Sequence, residues 1–214
     1  MINKPLIIAI DGLSGVGKGT LARSLADRLG LPYLDTGILY RVVTRKMLDS
    51  GLKPDDADTI KIAENLDEKD WQRSDLRTPE VDRAVSQVAA QIPIRRALLD
   101  MQRRFAAKKG AVMDGRDIGT VIFPSAQVKL FITASSRIRA ERRWLQYTDN
   151  PQDPTREDQI DKIESDLIAR DEADSKRAVA PLRPAEDAII LQTDKLSAEA
   201  VLEEALTIIK KRLK

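Results

Sequence analysis

The stretch Pro5-Leu6-Ile7-Ile8-Ala9-Ile10, followed after Asp11 by Gly12-Leu13-Ser14-Gly15-Val16-Gly17-Lys18-Gly19-Thr20, decides how the rest of the chain is read. Its first part is short, apolar throughout and rich in β-branched residues, as a strand covered on both faces must be. Beyond the glycines, Leu21, Leu25 and Leu29 recur at helical spacing up to Gly30, a natural stop. Strand, glycine-rich turn and helix is the context that a phosphate-binding loop requires. Glycines let backbone N–H groups turn inward around phosphate oxygens, and the helix N-terminus adds unpaired N–H groups and partial positive charge. Lys18 can then reach the outer phosphates as a point charge. A glycine-rich turn that merely fits the pattern is the alternative, and the flanking strand and helix weigh against it.

One position departs from the usual loop. Where Ser or Thr commonly follows the lysine and holds magnesium, this chain has Gly19, with Thr20 next. The Gly-Lys-Gly-Thr ending resembles the loops of nucleoside monophosphate kinases.

Composition narrows the chemistry. The 214 residues suit one domain, and 42% hydrophobic with 33% charged residues describes a soluble globular chain. Lys+Arg 36 against Asp+Glu 34, with 4% aromatics, argues against a nucleic-acid binder. No apolar run reaches membrane-span length and no signal-peptide core is evident, so a cytoplasmic protein without membrane partners is expected. His 0 and Cys 0 exclude thiol nucleophiles, histidine bases, Ser-His-Asp triads and the usual zinc sites. Carboxylates, Lys, Arg, hydroxyls and backbone amides remain, a kit suited to phosphoryl transfer, where positioning and charge neutralisation dominate.

Along the chain, Leu31-Pro32-Tyr33-Leu34 reads as a second strand ending at Asp35-Thr36-Gly37. Thr36 is a candidate N-cap or phosphate-contacting hydroxyl. Arg41, a turn into the next helix, could fork onto a phosphate, although position alone favours a surface arginine. Residues 53–75 are charged and weakly periodic, an insertion outside the main sheet. Thr78-Pro79 opens a helix with Val81, Val85 and Val88 on one face and Ser86 off it; Ile94, Leu98, Met101 and Phe105 mark the helix after. Arg95 lies away from that stripe, where a solvated basic face is the plain reading. Ala111-Val112-Met113 is a buried strand whose carboxyl end carries Asp114-Gly115-Arg116-Asp117, the end of an open α/β sheet where ligands bind. Asp114 is the candidate acid near a metal if its strand lies beside the phosphate loop. Residues 119–124 make a connection to a strand at Val128–Ile132. Of Arg137, Arg139, Arg142 and Arg143, some could face phosphates and the rest form ion pairs with Glu141. Arg170, Asp174 and Arg177 share one helical face, a ladder that is either structural or a grip on a sugar and a phosphate. Ala188–Leu191 and a helix capped by Ser197 complete an alternation of about five apolar strands with helices, which implies a parallel doubly wound α/β sheet.

Together these segments resemble the bacterial cytidylate kinases. The resemblance is carried by Ile10-Asp11-Gly12 through Thr20, Leu34-Asp35-Thr36-Gly37 with Tyr40-Arg41, Ser86-Gln87-Val88-Ala89-Ala90, Asp114 through Val121, and Arg170-Asp171 with Arg177-Ala178-Val179-Ala180-Pro181-Leu182. It implies a P-loop NTPase-type sheet, a single kinase domain over 1–214, an acceptor-binding insertion at about 52–92 and a short lid at about 147–165. It implies transfer of the γ-phosphoryl group of ATP to CMP or dCMP with Mg2+; a monomer is the expected form. Gly12, Ser14, Gly15, Val16, Gly17, Lys18, Gly19 and Thr20 would bind ATP. Thr36 and Arg41 would hold the acceptor phosphate, Ser86, Arg95, Arg116 and Asp117 would surround the cytosine, and Arg170, Asp174 and Arg177 would take the sugar, its phosphate and the group in flight. Lys18, Arg116, Arg170 and Arg177 are the candidate catalytic residues, and Thr20 and Asp114 the candidate metal contacts. A carboxylate with arginines complements the amine and acceptors of cytosine, whereas uracil would set carbonyl against carboxylate. A kinase for AMP, UMP or shikimate, and a nucleotide-dependent switch or sensor, are the competing readings. One departure is expected: the stretch from Leu66 to Thr78 is too short and charged for the small antiparallel sheet common in the family's insertion, and should be mostly helical.

Overall fold

A computed structural model describes residues 5–213. Its centre is a five-stranded, wholly parallel sheet built from β1 (Ile7–Gly12), β2 (Tyr33–Asp35), β3 (Ala111–Asp114), β4 (Val128–Thr133) and β5 (Ile189–Gln192) in the order β2-β3-β1-β4-β5. The helices are α1 (Lys18–Leu29), α2 (Thr36–Asp49), α3 (Ala57–Glu64), α4 (Pro79–Ala90), α5 (Ile92–Ala106), α6 (Ser136–Tyr147), α7 (Arg156–Ser175) and α8 (Ala198–Arg212).

Alternation along β1 divides the core. Ile8 and Ile10 face Leu21 and Leu25 of α1 and Val201 and Leu206 of α8. Ile7 and Ala9 face Leu34, Met113 and Ala106 of α5. Ile8 and Ile10 are wholly buried, each contributing about 1.5–3 kcal/mol over an exposed side chain. A second core joins α2 to α5 through Leu39, Val43, Val85, Val88, Ile94 and Leu98; a smaller one, with Trp144, Ile160 and Leu167, joins α6 to α7.

The segment between α3 and α4 holds two 3-10 turns, Glu68–Gln72 and Ser74–Arg77, and no strand. Its carboxylates serve as caps and ion pairs: Asp67 accepts from the Lys69 N–H, and Lys46 reaches Asp70 at 2.5 Å. Two boundaries differ from the sequence reading. The connection after β3 is a π-helical turn, Ile118–Ile122, closed by Phe123 N–H on the Ile118 carbonyl at 2.7 Å. Helix α7 ends at Ser175, so Arg177 lies just beyond it instead of on its face.

Candidate active site

All strands end at the same edge of the sheet, and there a cleft of about 600 Å3 opens between the glycine loop, the end of β3, and helices α2, α4, α6 and α7. Gly17, with φ of +87°, is the N-cap of α1, which has no side-chain cap and no acidic residue in its first turn. The orphan N–H groups and dipole of that helix therefore point unspent into the cleft. Lys18 is 6% exposed and donates to the Leu13 carbonyl at 2.7 Å. Burial, then Arg116, pushes its pKa down to about 7 against the pull of Asp114, Asp11 and Asp35. Ser14 to Thr20 all line the cleft, but Gly12 does not. Its φ is +146° and a Cβ there would stand 2.1 Å from the Ile132 carbonyl oxygen, so this glycine serves the approach of β1 to β4.

The loop is held from below by a pair the sequence reading missed. Asp171 of α7 accepts from the Ser14 N–H at 3.1 Å, and Arg139 of α6 donates to the Ser14 carbonyl at 2.9 Å and to Asp171. Arg139, neither a surface nor a phosphate-facing residue, is buried. Arg142 bonds Thr193, and Arg137 joins Glu157, Asp161 and Glu164 outside; of the four α6 arginines, only Arg143 reaches the cleft.

Because β3 lies between β1 and β2, Asp114 stands opposite Ile10 and Asp35 beside the loop. Burial, reinforced by Asp35 and Asp11 and opposed by Lys18, raises the Asp114 pKa to about 7. Among the described residues its carboxylate has neither a hydrogen bond nor an ion pair. A Cβ on residue 19 would stand 3.4 Å from Asp114 Oδ2, an ordinary van der Waals contact, so residue 19 lies directly beside the carboxylate. No group of three or more acids or other metal-ligating side chains gathers among the described residues. A protein cage is thus absent from these residues, and the donor set fits a hard cation carried mainly by phosphates and water, with Asp114 and the cleft-lining Thr20 as the protein oxygens.

Thr36 is not the N-cap of α2. Asp35 is, accepting from Gly37 N–H at 3.0 Å, while the Thr36 hydroxyl spends its proton on the Asp114 carbonyl at 2.8 Å. Asp11, also unmarked by the sequence, is 4% exposed and accepts from the N–H groups of Ile118 and Gly119, both at 2.8 Å. Burial raises its pKa to about 6 despite those bonds. It ties the turn carrying Arg116 and Asp117 to the central strand.

Across the cleft, six guanidiniums meet three carboxylates. Arg95 of α5 pairs with Asp117, bonds the Ala89 carbonyl at 3.1 Å and lies over the Tyr40 ring, so it is no solvated helix face. Asp117 uses Oδ2 for this; its Oδ1 has no hydrogen bond among the described residues. Asp174 is 1% exposed and gives one oxygen to Arg116 Nε at 3.0 Å and the other to Arg177. As placed, it orients two arginines. Arg41 is buried too, against its sequence reading on position alone; it donates to the Leu76 carbonyl at 2.9 Å and meets Asp82 of α4 at 2.5 Å. Arg143 and Arg170 lie 3.4 and 3.8 Å from the same Asp82 carboxylate. The Arg170 Nε is buried without a partner, and burial with Arg116 and Arg41 nearby lowers its pKa to about 10. Ser86 faces the cleft, its hydroxyl without a hydrogen bond among the described residues. The walls thus carry an excess of positive charge in a half-buried setting, which suits a ligand with several negative charges.

The family described as cytidylate kinase matches residues 8–211. The cytidylate kinase of Acidiphilium cryptum is 52% identical over 213 residues, covering 99% of each chain, and that of Granulibacter bethesdensis 52% identical over 208 residues, covering 97% of this chain and 98% of its own. A solved gluconokinase from Sinorhizobium meliloti superposes with a TM-score of 0.52 at 15% identity, covering 97% of this chain and 93% of its own, a likeness of fold alone.

Proposed function

Because the chain belongs to the cytidylate kinase family, we propose that it transfers the γ-phosphoryl group of ATP to CMP or dCMP, giving ADP and CDP or dCDP. The observation that carries this reading is the meeting, in one cleft, of an uncapped helix behind a glycine loop with six guanidiniums on three carboxylates.

In this reading the amides of residues 15–20, with Lys18, take the donor phosphates, the Ser14 N–H being held by Asp171. Arg41 and Arg170 take the acceptor phosphate, and Arg116 and Arg177, aimed by Asp174, neutralise charge on the phosphoryl group in flight. Magnesium, when bound with ATP, neutralises phosphate oxygens, and Asp114 and Thr20 would hold it. No strong base is needed, since the acceptor is already an anionic phosphate and the transition state is loose. Asp117 Oδ1 is the free acceptor for the cytosine amine, and Arg95, fixed by Asp117, Ala89 and Tyr40, keeps that carboxylate oriented. Ser86 supplies a further hydroxyl to the base. Nothing in this chemistry requires nucleic acid or a membrane, and no helix among the described residues is long and apolar enough to cross one. A cytoplasmic monomer is our reading of the working form.

The test is ADP release from ATP and magnesium with CMP, dCMP, UMP and AMP offered separately. Turnover with CMP and dCMP far above UMP and AMP is expected. Strong UMP turnover, or none with any acceptor, overturns the proposal.

A further inference from the structure

Asp82 has too many partners. Arg41 comes from α2, Arg143 from α6 and Arg170 from α7, and all three converge on this single carboxylate of α4 at 2.5, 3.4 and 3.8 Å. Its side chain and those of Arg143 and Arg170 remain about one-fifth exposed, so the cluster forms the cleft wall and not its interior. The partnering is incomplete: one negative charge faces three positive ones, and Arg170 keeps a buried Nε unbonded. Guanidinium forks are matched by carboxylates and phosphates alike, but a phosphate brings three oxygens and close to two charges where a carboxylate brings two oxygens and one. The cluster has the donor surplus of a phosphate site whose place is held by an internal anion.

Building on the acceptor-phosphate reading above, we propose that Asp82 is an internal surrogate for the acceptor's phosphate: it gathers Arg41, Arg143 and Arg170 in the free protein and yields them when the nucleotide enters. The carboxylate keeps like charges together that would otherwise repel, and the helices that carry them in register across the cleft. It also competes with the ligand. Apparent affinity falls by the fraction of time the guanidiniums are free, so removing the competitor raises it. A purely structural ion pair predicts the reverse sign, because the arginines would scatter once it was lost.

The sign is measured with inorganic phosphate titrated into isotopically labelled protein, following the Asp82 carboxyl and Arg170 Nε signals, which report this cluster and not the glycine loop. In the wild type, phosphate is expected to move both signals. Asp82→Asn is expected to bind phosphate about tenfold tighter at the Arg170 signal and to lower the CMP KM by a similar factor, with the ATP KM unchanged. Asp82→Glu, which keeps the charge, stays near wild type, as does Glu80→Gln on the same helix, whose partner is the outward Arg45. An Asp82 signal unmoved by phosphate, or an Asn variant that binds it no tighter, overturns the proposal; the first arm holds even if the variant fails to fold. Absence of turnover with any cytidine acceptor would sink the kinase reading while leaving the phosphate comparison to decide on Asp82.

Discussion

Asp117→Asn is expected to turn the acceptor preference from cytosine toward uracil. Asp117 is 5% exposed, gives Oδ2 to Arg95 and has Oδ1 unbonded. An asparagine keeps an oxygen for Arg95 and places an amide donor where Oδ1 was. Facing it, the cytosine amine loses a hydrogen bond to a charged group, about 1.5–3 kcal/mol, or a fall in kcat/KM of about 10- to 150-fold. The uracil carbonyl gains a neutral bond of about 1 kcal/mol, a rise of about fivefold. The CMP to UMP ratio of kcat/KM should therefore drop by about 50- to 750-fold. The stability cost is modest, because Arg95 keeps the Ala89 carbonyl and the Tyr40 ring, 5.6 Å from its Cζ. About 1–2 kcal/mol, or a melting temperature lower by about 2–8 °C, is expected. Asp117→Ala, which strands a buried guanidinium, should cost about 3–5 kcal/mol and serves as the contrast. Coupled ADP release with CMP, dCMP and UMP gives the ratio, and a melting curve verifies folding. A folded Asn variant whose ratio stays within about twofold of wild type refutes the base-reading role of this carboxylate.

Three further outcomes are expected. Asp171→Ala leaves Arg139, 4% exposed, without its carboxylate and frees the Ser14 N–H; a loss of about 3–5 kcal/mol and a raised ATP KM at unchanged CMP KM should follow, read by melting and initial rates. Lys18, with its pKa lowered from 10.5 to about 7, loses its proton in the folded protein first, so its contribution to stability rises with pH between about 7 and 10.5; ATP binding at pH 8 should take up a proton, seen by calorimetry in buffers of different ionisation heat, and zero uptake would contradict the buried lysine. Asp114 has its pKa raised from 3.8 to about 7, so its charge costs stability that is fully felt above pH 7; Asp114→Asn should raise the melting temperature at pH 8 while demanding about tenfold more magnesium for half-maximal turnover, and an unchanged magnesium requirement would remove it from the metal site.

The strands, the glycine loop and the order of the helices were legible because each is written locally: a β-branched run, a glycine cluster, a 3.6-residue repeat. Ser197 and Thr78 cap their helices as the sequence suggests. What stayed hidden depends on pairing over long separations. The partners of Asp11 are 107 and 108 residues away, and Asp171 is 157 residues from the loop it supports, so no local pattern names these pairings. Arg41 reads as a surface residue until α4 brings Asp82 to it, and Arg139 until Ser14 and Asp171 close around it. The N-cap of α2 falls one residue before Thr36 because Asp35 and Thr36 both have side chains able to cap; only the meeting of β2 with β3 commits the Thr36 hydroxyl to the Asp114 carbonyl. A signal did exist for Asp11, since an acid at the end of an otherwise apolar strand needs partners.

The strand order has a consequence for the making of the protein. β1 leaves the ribosome first among the strands, yet both its neighbours, β3 and β4, come about a hundred residues later, and β2 cannot pair with it at all. At about 5–20 residues per second, the apolar stretch from Ile7 to Ile10 waits on the order of ten seconds before either edge is covered. The helices α2 to α5, which share a core of their own, are free to assemble in the meantime. Synthesis thus favours completion of the α2–α5 core before the sheet closes, and a nascent chain stopped short of β4 carries a bare, sticky strand open to association.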